Sequence, residues 1–167
     1  MARTGPRQKM QGPGKGHPEN RLANQTVELE VVVTTDALTQ RLSELADHIL
    51  ADSRWESQRD DLGISVLGML LYGYALAVGR SVMFLDMEDI DAAVLRCLTE
   101  RAGIATKWGS GLVEEANASA FDKGHHPGHH ELIGVGHSYF FVEKQAAIVD
   151  NVFANIESVR RRVGGRT

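Results

Sequence analysis

The sequence predicts a mainly helical α+β domain, with a long buried central helix at about 62–82 surrounded by other helices and a small sheet. Three observations lead there. Leu62–Val82, LGISVLGMLLYGYALAVGRSV, carries no charge between Asp61 and Arg80. It is too long for one strand and apolar on most sides, as a core helix is. Several other stretches repeat apolar residues at helical spacing. Two more, Thr26–Val33 and Leu132–Val142, have the composition of strands, too few for a doubly wound sheet.

Taken in order, Thr26–Val33 alternates Val27, Leu29, Val31 and Val33 with Glu28 and Glu30, the pattern of a half-buried strand. Thr35 then stands as an N-cap, with Asp36 in the first turn, and Leu38, Leu42, Leu45, Ile49 and Leu50 form an amphipathic helix to about Ser53. Arg54–Asp61 is a polar connection whose Trp55 is expected to dock on the core. After the central helix, Ser81–Leu85 is either a short strand or a last helical turn. Asp86 caps the next helix, Glu88 and Asp89 favour its start, and Ile90, Ala93, Val94, Cys97 and Leu98 form its stripe. Gly103 suits the position just past its end. The acidic residues Asp86, Glu88, Asp89 and Asp91 are explained by this helix start without a ligand.

Leu112–Phe121 reads as a helix. His125–His130 reads as a loop, because Pro127 and Gly128 interrupt any helix there. Leu132–Val142 follows as a buried strand bent at Gly134 or Gly136, and a long last helix runs from about Glu143 to Arg162.

A chain of 167 residues with 43% hydrophobic content is read as one globular domain, 21–167, behind a flexible basic arm, 1–20. The charge is uneven. Residues 1–21 hold Arg3, Arg7, Lys9, Lys15 and Arg21 against Glu19, while the remainder holds 13 basic and 21 acidic residues. That acidic body argues against a broad nucleic-acid face and leaves nucleic acid to the arm. One cysteine excludes an internal disulfide and a Cys-based zinc knuckle, and Cys97 falls on an apolar stripe as an inert thiol. No apolar leader core follows the basic start, so a cytoplasmic location is expected. Leu62–Gly79 reaches the length of a membrane span, which stands as the alternative to a core helix. Its glycines at 63, 68, 73 and 79 fall five or six apart and do not line one face as a GxxxG pair would.

Five of seven histidines fall between 125 and 137. His125, His126, His129, His130 and His137, with Glu131 and Asp122 as oxygen donors, are candidate ligands for zinc, nickel or copper. Their spacing matches no HExxH, HxxEH or Cys/His knuckle. The competing readings are a solvated polar loop and a pH-responsive surface. Leu98–Glu115 bears a slight likeness to a helix-turn-helix turning at Ala102-Gly103-Ile104. Its second helix would carry Gly109, Gly111, Glu114 and Glu115, which argue against phosphate binding. The arm and Arg160, Arg161 and Arg162 are the candidate electrostatic contacts. There is no GxSxG, P-loop or dinucleotide glycine pattern. The sequence does not say what the protein does. The expected function is a non-enzymatic interaction or assembly protein, a subunit, adaptor or inhibitor-like partner, working on a protein partner or on a second copy of itself. A metal-binding protein or metal-dependent enzyme using residues 125–137 is the alternative.

Overall fold

The regular backbone is helical throughout the described residues, with no strand and no sheet. The computed structural model describes residues 18–165, with side chains from residue 34 onward. The helices are α1 (Pro18–Leu50), a single turn α2 (Trp55–Gln58), α3 (Asp61–Ser81), α4 (Met87–Glu100), α5 (Thr106–Phe121), α6 (Pro127–Ser138) and α7 (Gln145–Gly164). A 3₁₀ turn, Tyr139–Phe141, follows α6. The fold is therefore all-α, which corrects the expected α+β class.

Both strands are overturned. Thr26–Val33 lies inside α1, and so does Thr35, which is an interior residue of that helix and not its N-cap. Leu132–Val142 forms the second half of α6 and the 3₁₀ turn. Its buried residues are Leu132, Ile133, Gly136 and Tyr139, spaced one, three and three apart. That is a helical rhythm, and a strand would have buried alternate residues. The expected His-rich loop is corrected as well. Pro127 occupies the first turn of α6, where its fixed φ suits a helix and its missing N–H costs nothing. His129, His130 and His137 are thus helical, and only His125 and His126 precede the helix.

The central helix is where the sequence put it. Leu67, Met69, Leu70, Tyr72, Ala75 and Val78 of α3 are buried completely or nearly so. By length and composition α3 could cross a membrane, and 78% of its most apolar window is buried inside the fold. Its surface is spent on the other helices. Asp60 caps it, accepting from the Gly63 amide at 2.9 Å. Asp86 caps α4 through the Asp89 amide at 3.2 Å, and Gly103 takes a φ of +67° beyond its end. Trp55 (5% exposed) and Cys97 (1%) are core residues, and burial pushes the Cys97 thiol up to about 12.

The glycines of α3 each face a different neighbour. Gly68 meets Leu112 of α5, Gly79 meets Ile90 of α4, and Gly73 lies against the Ile133 carbonyl of α6. Gly136 of α6 lies in turn against the Leu70 carbonyl. A β-carbon at Gly73 or Gly136 would collide with backbone, which cannot swing aside as a side chain can. The two helices run in the same sense, with Leu132 beside Val66 at one end and His137 beside Gly73 further along.

A polar triad crosses the core. The Tyr72 hydroxyl donates to Asp91 Oδ1 at 2.7 Å, and Asn117 Nδ2 donates to Asp91 Oδ2 at 2.9 Å. This ties α3, α4 and α5 together. Burial and the Asp91 carboxylate push the phenol well above its ordinary value. At the lower end, Arg160 of α7 grips Asp60 through two nitrogens, at 2.7 and 3.0 Å, and reaches Gln58 at 3.0 Å.

Two comparisons test this packing by urea unfolding. Gly136→Ala is expected to destabilise by about 1–3 kcal/mol through overpacking. Gly134→Ala, in the same helix but with open space around it, is expected to stabilise by roughly 0.5–1 kcal/mol through helix propensity. Equal effects would dissociate the helix contact from the glycine. Tyr72→Phe is expected to cost about 1–3 kcal/mol, because Asp91 loses a short bond to its carboxylate.

Candidate functional site

Glu115 gathers the histidines. It stands on α5, three residues past the buried Leu112 and four before the buried Ser119, so helical spacing aims it at the start of α6. Its Oε2 is 3.0 Å from His125 Nε2, and its Oε1 is 3.0 Å from His129 Nδ1. The Ser119 hydroxyl also donates to Oε1, at 3.3 Å. An ionised carboxylate only accepts, so both imidazoles present a protonated nitrogen to it. The bond from His125, with that from His129, holds the Glu115 carboxyl below its usual range. Burial pulls His129 the other way, towards its neutral form, despite the carboxylate beside it.

The remaining ring contacts fix the start of α6. His126 is its N-cap, and His126 Nδ1 accepts from the His129 amide at 3.1 Å. An acceptor nitrogen carries no proton, so neutral His126 holds its proton on Nε2. The His126 and His129 rings stack with centroids 3.5 Å apart. His130 Nδ1 donates to the Ser119 carbonyl at 2.8 Å.

Four of the candidate residues are therefore drawn to one corner, between α5 and α6: His125, His126, His129 and His130. The others are not. His137 lies exposed near the far end of α6. Asp122 turns to its own loop, accepting from the Gly124 amide at 2.8 Å. Glu131 pairs with Arg162 at 3.1 Å. Among the described residues no three His, Cys, Asp or Glu side chains converge as a group able to hold a metal ion. Glu115, the residue that organises the corner, was counted in the sequence only as a charge that repels phosphate. Its spacing to Leu112 and Ser119 was the signal that marked it as inward-facing.

Beside this corner lies a groove of about 440 Å³ between the first turns of α3 and α6 and the last turns of α7. Leu62, Val66, Leu132, Val159 and Val163 supply its apolar lining. His126, His129, Ser65, Asp61 and Arg162 supply the polar part. Of the three arginines of α7, Arg160 and Arg162 are engaged within the fold and Arg161 is exposed on the last turns. Arg3, Arg7, Lys9 and Lys15 lie outside the described residues, and Arg21 lies where no side chain is described.

No protein-family model, curated protein or solved structure matches this chain.

The corner has a pH signature. His129 and Glu115 both have folded values below their unfolded ones, so the unfolded chain binds more protons. Stability from His129 is complete above about 6.5 and is lost as pH falls from there through its folded value. Stability from Glu115 is complete above about 4.3 and is lost in the same direction, further down. Thermal unfolding between pH 8 and 5 is expected to show a falling melting temperature that is steeper in Glu115→Gln, because that change removes the carboxylate that favours protonated His129. An unchanged slope in that variant would remove Glu115 as the organising group.

Proposed function

We propose that this chain is a non-enzymatic interaction protein that assembles with a second copy of itself. The observation that carries this reading is an exposed apolar knuckle after α6. Phe141 is 73% exposed, and Phe140 and Val142 are each 38% exposed. The three sit on a rigid support. Tyr139, next to them, is 3% exposed, and its hydroxyl donates to Asn151 Oδ1 of α7 at 2.9 Å. Phe140 and Phe141 also pack edge to face at 5.1 Å. Aromatic rings held in place in water cost little further ordering when a partner covers them, which is the composition of an interface centre.

A second copy is favoured because a closed two-fold contact lets one knuckle meet its equivalent, so no second type of surface is needed. The basic arm, Arg3, Arg7, Lys9 and Lys15, joins this reading as a charge-based contact with the acidic body of the partner copy. Cytoplasmic placement belongs to the same proposal.

Sedimentation equilibrium of the full chain is expected to give a mass above the 18.3 kDa of one copy. The double variant Phe140→Ser, Phe141→Ser is expected to return it to one copy with unchanged helicity by circular dichroism. Removal of residues 1–17 is expected to weaken association at low salt more than at high salt. A monomer at every concentration in the parent chain would defeat the proposal.

A further inference from the structure

We propose that the groove between α3, α6 and α7 binds a small amphipathic carboxylic acid, its apolar body on Leu62, Val66, Leu132 and Val159 and its carboxylate against His129 and Arg162. This goes beyond assembly through the aromatic knuckle, and it rests on different residues.

The size and lining suit such a molecule. About 440 Å³ falls in the range of small-molecule sites, and the lining combines aliphatic walls with a few polar groups. The head group is argued from charge. Every element around the groove contributes to the balance there. α6 brings His126 at its cap, His129 and Glu131; α7 brings Arg162; α3 brings Asp61; α5 stands behind with Glu115. Three of the four ionisable groups lining the groove are cationic or can become so, and Asp61 alone opposes them. Arg162 gives one nitrogen to Glu131 at 3.1 Å, and a guanidinium has five N–H donors, so others remain for a ligand.

His129 is the group that answers the head. Its Nδ1 is held by Glu115 of α5, which does not line the groove, while His129 itself does, so Nε2 is the ring nitrogen left for a ligand. In the tautomer that donates to Glu115, Nε2 is an unprotonated acceptor. When a carboxylate arrives, Nε2 takes up one proton from water. The resulting imidazolium then lies between two carboxylates, Glu115 behind and the ligand in front. Before binding, burial keeps His129 neutral, so the proton enters with the ligand. A primary amine lacks this response, since its charge would oppose both Arg162 and a protonated His129.

Titration calorimetry of the full chain with octanoate, octylammonium and 1-octanol, each at pH 7.5 in two buffers of different ionisation enthalpy, tests this. Octanoate is expected to bind at least about tenfold more tightly than the other two, from one charge-assisted bond. Its enthalpy is expected to change with buffer, reporting proton uptake. His129→Phe keeps a ring to stack on His126 and is expected to abolish the uptake and weaken octanoate about tenfold. Val159→Trp fills the groove and is expected to abolish binding of all three, with helicity by circular dichroism confirming the fold. Equal binding of octanol and octanoate, tighter binding of octylammonium, no binding, or binding unaffected by Val159→Trp would each overturn the proposal. Because none of these variants touches Phe140 or Phe141, the mass of the assembly reports separately on the knuckle.

Discussion

The backbones of α3 and α6 touch, and the rest of the structure depends on it. Gly73 faces the Ile133 carbonyl and Gly136 faces the Leu70 carbonyl, with no side chain between. Such an approach trades conformational freedom in two glycines for close dispersion contact along both helices. It also fixes the height of α6 along α3. A shift of one turn would bring side chains where only hydrogen atoms fit. That register brings Leu132 beside Val66 and places the first turn of α6 beside the first turn of α3. The groove, and the place where α5 offers Glu115 to the histidines, both follow from it.

Around this contact the ionic groups sort by depth. Asp91 is the acceptor for two donors from different helices, the buried Tyr72 and the half-buried Asn117, and so specifies how α3, α4 and α5 meet. Surface pairs such as Arg96 with Asp36, at 2.8 Å, or Arg54 with Asp150, at 2.9 Å, bridge helices in water and add little. Arg54 does more than pair, because its guanidinium also lies 4.3 Å above the Phe153 ring and shields that core residue at the α1–α2 bend.

What was legible in the sequence was the central helix and the two ends of α4, while the N-cap expected at Thr35 lies inside α1. The uncharged run gave α3 within a residue at each end, Asp86 announced α4, and Gly103 closed it. These signals are local: a cap needs only its own amide, and an uncharged run needs only burial. Of the two expected strands, Thr26–Val33 was misread on its alternation, and Leu132–Val142 because β-branched and aromatic residues were weighed above spacing. Leu132, Ile133 and Gly136 already showed the helical period, but Gly128, Gly134 and Gly136 lowered the apparent helix propensity. Tertiary contact reversed that, since Gly136 is the residue that lets α6 dock. Pro127 was taken as a breaker when it was a start, a distinction that rests on the cap before it, here the unusual His126. The inward aim of Glu115 was carried by its spacing to Leu112 and Ser119, but its partners were beyond local reading, because they lie ten and fourteen residues further on. The α3 glycines were rightly seen to share no face. Their spacing of five or six turns each to a separate neighbour, which is how one helix receives close contacts from several sides.

That arrangement has a consequence during synthesis. Residue 81 is made before any of α4 to α7, whose last residue is 164. At the usual elongation rates the ribosome needs roughly 4–17 s to cover that distance. Until α5 and α6 are made, the growing chain carries a 21-residue segment with the length and composition of a membrane span, and the faces bearing Gly68 and Gly73 lack the partners they meet in the finished fold. The helix that holds the finished molecule together is, for those seconds, the stretch most exposed to insertion into a bilayer and to capture by other nascent chains.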